Sequence, residues 1–222
     1  MSFRGPKSVF DNRSFQYVVD VLFQLYSFRE YIKLTERTIN IEIKNELSRY
    51  NKFLNESSDF EIEHMYDFED HTIKTLTHQL YYNSIFISIY SFLEKKMFQL
   101  CKLAEVNETI KIKDLSGEGI FKYYKYLKKV LLLDLDNLNE DWTRITKYNK
   151  LRNRLVHLTT NTIDKSENNS KLIKTIASIK NLNVIDKGDY YEFEISSTKI
   201  LLDFLEVIEN FLDKIYFERK VF

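Results

Sequence analysis

Apolar residues recur at helical spacing along most of the chain. Between Ser14 and about Tyr50, Phe15, Val18, Val19, Leu22, Leu25 and Tyr26 form one set, and Ile32, Ile39, Ile43 and Leu47 follow among charges. This predicts one long helix, or two with a break near Thr35–Thr38. Asn55 to Asp70 is acidic, with Glu56, Asp59, Glu61, Glu63, Asp67, Glu69 and Asp70, and reads as a loop or a solvated helix start. Asp70 and Thr72 are candidate caps for the next helix, which runs to about Ala104. There Leu80, Ile85, Ile87, Ile89, Phe92, Leu93, Met97 and Leu100 surround the helix almost fully, which suits the centre of a bundle.

Lys111 to Gly119 reads as a connector punctuated by Gly117 and Gly119. Helices are expected from about Ile120 to Leu133 and from about Asn139 to Leu158, the second with Glu140 and Asp141 in its first turn. The polar stretch Thr159 to Ser170 is expected to be a mobile loop. Lys171 to Ile179 suits a short helix. Tyr191, Phe193 and Ile195 alternate with Glu192 and Glu194 beyond Asp186-Lys187-Gly188-Asp189. With Val184–Ile185 they predict a small β-hairpin. Leu201, Leu202, Leu205, Ile208, Phe211, Leu212 and Ile215 line one face of a last helix, Thr198 to about Glu218.

The expected fold is therefore mainly α, an up-and-down helical bundle with a small β-hairpin before the last helix. No repeat, linker or composition break divides the chain, so residues 1–222 are read as one domain. With 4 Gly and 1 Pro, the chain lacks the punctuation of a sandwich, a barrel or a Gly-rich nucleotide-binding fold. Lys plus Arg and Asp plus Glu number 33 each, so no global field draws in nucleic acid, although a local basic patch is still allowed. The single Cys101 cannot form an internal disulfide, which fits a reducing compartment. No apolar signal core follows Met1, and no apolar run is long enough to span a bilayer. The expectation is a cytoplasmic protein without membrane contact, in which the sequons at Asn55, Asn107 and Asn168 are chance matches.

Chemistry concentrates in Lys147-Tyr148-Asn149-Lys150-Leu151-Arg152-Asn153-Arg154-Leu155-Val156-His157-Leu158. On a helix, Tyr148, Leu151, Leu155 and Leu158 form an apolar stripe. Asn153 and His157 are four apart and share a face roughly opposite it. A lone histidine is more often a satisfied core residue, but this spacing turns His157 towards solvent or a partner chain. Arg152 lies about 140° round from His157 on an ideal helix, within reach of a long side chain if the helix ends there. Arg144, Lys147, Lys150, Arg152 and Arg154 have no acid between them, so they make a local positive patch suited to phosphates. The plainer reading of that patch is a solvated helix face whose C-terminal cations suit the dipole.

Arg152-Asn153-Arg154-Leu155-Val156-His157 resembles the Arg-x4-His motif of the HEPN (higher eukaryotes and prokaryotes nucleotide-binding) superfamily, in which a polar residue, often Asn, follows the Arg. Tyr90-Ser91-Phe92-Leu93-Glu94 is similar to the aromatic–Leu–Glu segment that family members carry on a central apolar helix. The resemblance covers about Asp70 to Leu158. It implies a metal-independent endoribonuclease without a cofactor, acting in bacterial toxins or antiphage defence, with an antitoxin or defence protein as a possible partner. RNA carries its own nucleophile, the 2′-hydroxyl. His157 suits proton transfer. Arg152 suits the charge of the anionic phosphorane. Asn153 suits positioning, and Arg154, Lys150 and Lys147 suit flanking phosphates. Glu94 is a candidate support for a motif arginine. One motif offers one histidine, and the family pairs two motifs across a dimer cleft, so a homodimer with a composite site is implied. Some members have Tyr two residues after the His. This chain has Thr159 there, so control by modifying such a tyrosine is not implied.

Many HEPN domains are non-catalytic, so the alternative is an interaction module that binds a protein, nucleotide or RNA without cutting. A purely structural bundle is a third reading. His64, His71 and His78 recur every seven residues, but helical neighbours at that spacing lie about 10 Å apart, too far to share one ion. Cys101, in the most apolar helix, reads as a small buried hydrophobe.

Overall fold

A computed structural model of the chain describes residues 17–56, 60–157 and 161–217. A π-helical turn, Val18–Leu22, runs straight into α1 (Phe23–Glu56), and α2 (Phe60–Ala104) packs against α1. Then come α3 (Gly119–Lys129), α4 (Asn139–His157), β1 (Thr162–Asp164), α5 (Ser170–Ala177), β2 (Asn183–Asp186), β3 (Tyr190–Glu194) and α6 (Lys199–Phe217). The chain is mainly helical with one small antiparallel sheet. Among the described residues, no helix is long and apolar enough to cross a membrane.

Helix α2 is the hub, packing on α1, α3, α4 and α6. Of the predicted apolar girdle, Ile89, Leu93, Met97 and Leu100 are fully buried, joined by Phe86. Burying each such side chain contributes roughly 2 kcal/mol. By contrast, Leu80 is 70% exposed and Ile87 only partly buried, so one side of the helix faces away from the core. Helix α4 is locked to this hub by aromatic contacts. Tyr148 lies 4.3 Å from Phe204 of α6 and 5.8 Å from Phe86 of α2, between ring centroids. Trp142 stacks on Tyr124 of α3 at 3.9 Å and 8°. The helix bearing the motif is thus held from three sides.

For the long helices, one open alternative is decided and one expectation changes. Helix α1 has no break at Thr35–Thr38, because the Thr38 hydroxyl donates to the Leu34 carbonyl at 3.0 Å and needs no turn to satisfy it. Ile32, fully buried, anchors the same stretch, and its carbonyl accepts a hydrogen bond from the Tyr81 hydroxyl at 3.0 Å. Helix α2 begins at Phe60, earlier than the caps at Asp70 or Thr72 predict, so most of the acidic segment is helical. No Gly or Pro interrupts the segment, so nothing in its backbone opposes an earlier start.

The connection from α2 to α3 is organised by Glu105, which is 9% exposed. Its carboxylate accepts from the Ile112 N–H at 2.7 Å and from Lys102 Nζ at 2.6 Å. Gly119 opens α3 with φ +53°, and a Cβ there would lie 2.7 Å from Glu94 Oε1. Only glycine meets both conditions without strain.

The predicted hairpin is one part of a three-stranded sheet in the order β1-β3-β2. Ile163 pairs with Tyr191, and Val184 with Phe193. The stretch expected to be a mobile loop therefore supplies a strand. Ile163 is 2% exposed and Phe193 1%, so both enter the core. Gly188, at φ +88°, closes the β2–β3 turn, and its N–H donates to Asp186.

Candidate functional site

The α4 helix buries the described part of its apolar stripe as the wheel predicts. Tyr148, Leu151 and Leu155 are buried against α2 and α6, while Asn153 is exposed. Leu158 lies outside the described residues. His157 is the last residue of α4, four after Asn153, and its side chain lies outside the described residues.

Arg152 is half-buried on the flank of the apolar stripe, facing α2. Its guanidinium lies over the Tyr90 ring, 5.3 Å from the centroid, a cation–π contact. Its Nη1 donates to Asn153 Oδ1 at 3.1 Å. Asn153 Nδ2 donates to Asn149 Oδ1 at 3.5 Å, and Asn149 Nδ2 donates to the Tyr90 hydroxyl. Arg152, Asn153, Asn149 and Tyr90 therefore close a circuit between α4 and α2. The arginine is drawn round towards the Asn153 face, the one that also carries position 157.

The circuit contains no carboxylate. Among the described residues none pairs with Arg152, and its buried Nε has no hydrogen-bond partner. A half-buried cation without a counter-charge has unspent capacity to bind an anion. Glu94, the candidate support, lies one turn beyond Tyr90 with its carboxylate at Gly119. Burial pushes the Tyr90 hydroxyl up to about 12, overriding the opposing pull of the Asn149 hydrogen bond and the Arg152 charge. Tyr90 therefore stays neutral near pH 7 and acts as a fixed dipole and ring.

The other predicted phosphate ligands separate. Arg154 is half-buried on α4. Lys150 Nζ donates to Thr175 Oγ1 of α5 at 3.3 Å, so it ties α4 to α5. Lys147 lines a hollow between those two helices. Among the described residues, no group of three His, Cys, Asp or Glu side chains is placed to hold a metal ion. The side chains of His64 and His71 lie outside those residues. Cys101 is fully buried, and burial pushes its thiol up to about 12, which makes it a poor nucleophile.

Sequence reasoning overlooks Asn149 and gives Tyr90 no part in the site. The first carried a signal, since Asn149, Asn153 and His157 repeat at intervals of four. The second did not, because contact between α2 and α4 is a tertiary fact.

No family model matches the chain, and neither does any curated protein or solved structure. The site must therefore be read from its chemistry. A fixed arginine fork, amides that orient it and a histidine position on the same helix face suit an anionic phosphoryl group with a proton to move.

Proposed function

We propose that the chain is a metal-independent endoribonuclease of the HEPN type, acting as a toxin-like or defence effector. One observation carries the reading: Arg152 of the Arg-x4-His motif is half-buried, oriented by Tyr90 and Asn153, and has no carboxylate partner among the described residues. An arginine kept for packing alone would ordinarily be neutralised. Here it is held ready for a phosphoryl oxygen.

In this mechanism the 2′-hydroxyl loses its proton to a histidine and attacks the adjacent phosphorus. The 5′-oxygen leaves with a proton from a second histidine, giving a 2′,3′-cyclic phosphate and a 5′-hydroxyl. Arg152 neutralises the charge that builds on the non-bridging oxygens. His157 supplies one proton-transfer group per chain, so the proposed site is completed by the motif of a second copy. Asn153 keeps Arg152 in place.

The test is cleavage of RNA by purified protein in excess EDTA, beside His157→Ala and Arg152→Ala. The parent is expected to leave cyclic-phosphate ends and both variants to lose at least 100-fold in rate, about 3 kcal/mol of barrier. Equal cleavage by all three proteins would place the activity in a contaminant or another site. Undiminished RNA binding without cleavage by the parent would move the reading to a non-catalytic interaction module.

A further inference from the structure

Helices α4 and α5 enclose a trough that the motif does not include. It consists of two adjoining hollows of about 390 and 370 Å³ that share Lys147 and Ser178. Lys171 and Lys174 of α5 line the first, and Arg144 and Lys180 line the second. With Lys147 these make five cations against one lining acid, Glu140. Ser170, Thr175 and Ser178 add hydroxyls to the wall of the first hollow.

None of the five cations forms a salt bridge with a described carboxylate, whereas Lys165, Lys187 and Lys214 nearby in sequence all do. Acids act on the second hollow, since Asp141 feels the Arg144 charge and Asp203 and Glu206 act on Tyr148, so the positive excess is clearest in the first hollow, which Lys147, Lys171 and Lys174 line with no acid. The direction of the trough adds to the case. Lys150 and Arg154 follow Lys147 on α4 at three and seven residues, so the row of cations continues along the α5-facing side of the helix beyond the two hollows. From Arg144 to Arg154 the helix advances about 15 Å, enough for several successive phosphates and too long for one small anion.

We propose that the α4–α5 trough binds the phosphodiester backbone of single-stranded RNA alongside the motif-bearing helix. Lys171 and Lys174, on exposed positions of α5, form its outer wall. The ligand's identity rests on the nuclease reading, but binding by the trough does not require cleavage.

The test uses a fluorescent 12-nucleotide oligouridylate with 2′-O-methyl riboses, which cannot be cut by 2′-hydroxyl attack. Its binding to the full chain is followed by anisotropy over a salt series. Lys171→Glu/Lys174→Glu is compared with Lys44→Glu/Lys52→Glu on the exposed face of α1, which makes the same change in net charge. The expected result is at least tenfold weaker binding for the α5 pair only. Its dependence on log salt should also be shallower by about 1.4, two contacts at about 0.7 each. Equal weakening by both pairs, or none by the α5 pair, overturns the proposal. So does displacement by uridine monophosphate at the same phosphate concentration, which would mean a small-anion site. Cleavage of unmodified RNA is measured in parallel. Tight trough-dependent binding without cleavage sinks the nuclease reading and leaves the trough standing. Cleavage unaffected by the α5 pair, with unchanged binding, does the reverse.

Discussion

Among the described residues, Arg152 is held by a ring and an amide and by no carboxylate. A carboxylate would fix its position but cancel the charge that a phosphate needs. The Tyr90 ring and the Asn153 amide fix the guanidinium and leave its charge intact. Tyr90→Phe separates the two parts of this arrangement. The ring remains under the arginine, but Asn149 Nδ2 loses its acceptor. The expected cost is about 1 kcal/mol of stability, read as a lower urea midpoint at unchanged slope. If Asn149 in turn steadies Asn153, the variant also loses about tenfold in kcat with little change in KM, because the damage lies in alignment and not in substrate contact. Tyr90→Leu removes the ring as well and should lose more. Equal activity for all three proteins would remove Tyr90 from the account of the site.

At the scale of elements, the turn between α2 and α3 depends on one acid. The hydrogen bond from Lys102, followed by that from the Ile112 N–H, holds the Glu105 carboxyl below its ordinary value. A carboxyl lowered in the folded state stabilises the fold fully above its unfolded pKa of about 4.3, and that contribution is lost as the pH falls through the lower folded value. The expected outcome for Glu105→Gln is a lower Tm at pH 7 and a smaller further drop between about pH 5 and 3 than the parent shows. Parallel Tm–pH curves would mean that the carboxylate charge contributes nothing. The helices themselves were legible because their apolar faces repeat for many turns, as in α2 and α6. The continuity of α1 was ambiguous because threonines satisfied within a helix read like a break. Strand β1 was illegible for a different reason: in three residues only Ile163 points inward, and one apolar residue has no period. Its pairing with β3 joins segments far apart in sequence, and local pattern carries no such information. The α4 face of the site was readable from spacing, but the α2 side and the α5 wall depend on packing.

The whole molecule supplies one motif histidine, whereas the proposed reaction needs a proton taken and a proton given. If two copies complete each other, activity depends on pairs, and dilution with inactive chains makes the dependence visible. The parent is mixed with a tenfold excess of His157→Ala and the chains are allowed to exchange. Each parent chain then meets another parent in about one encounter in eleven, so activity per parent chain should fall roughly tenfold if both histidines serve one site. If each chain works alone, the variant is a bystander and the rate per parent chain does not change. Activity per chain should likewise fall on dilution below the dimer dissociation constant, while a self-sufficient monomer would keep it. A histidine variant that dimerises but does not reduce the parent's activity would leave the dimer intact and remove the composite site from the mechanism.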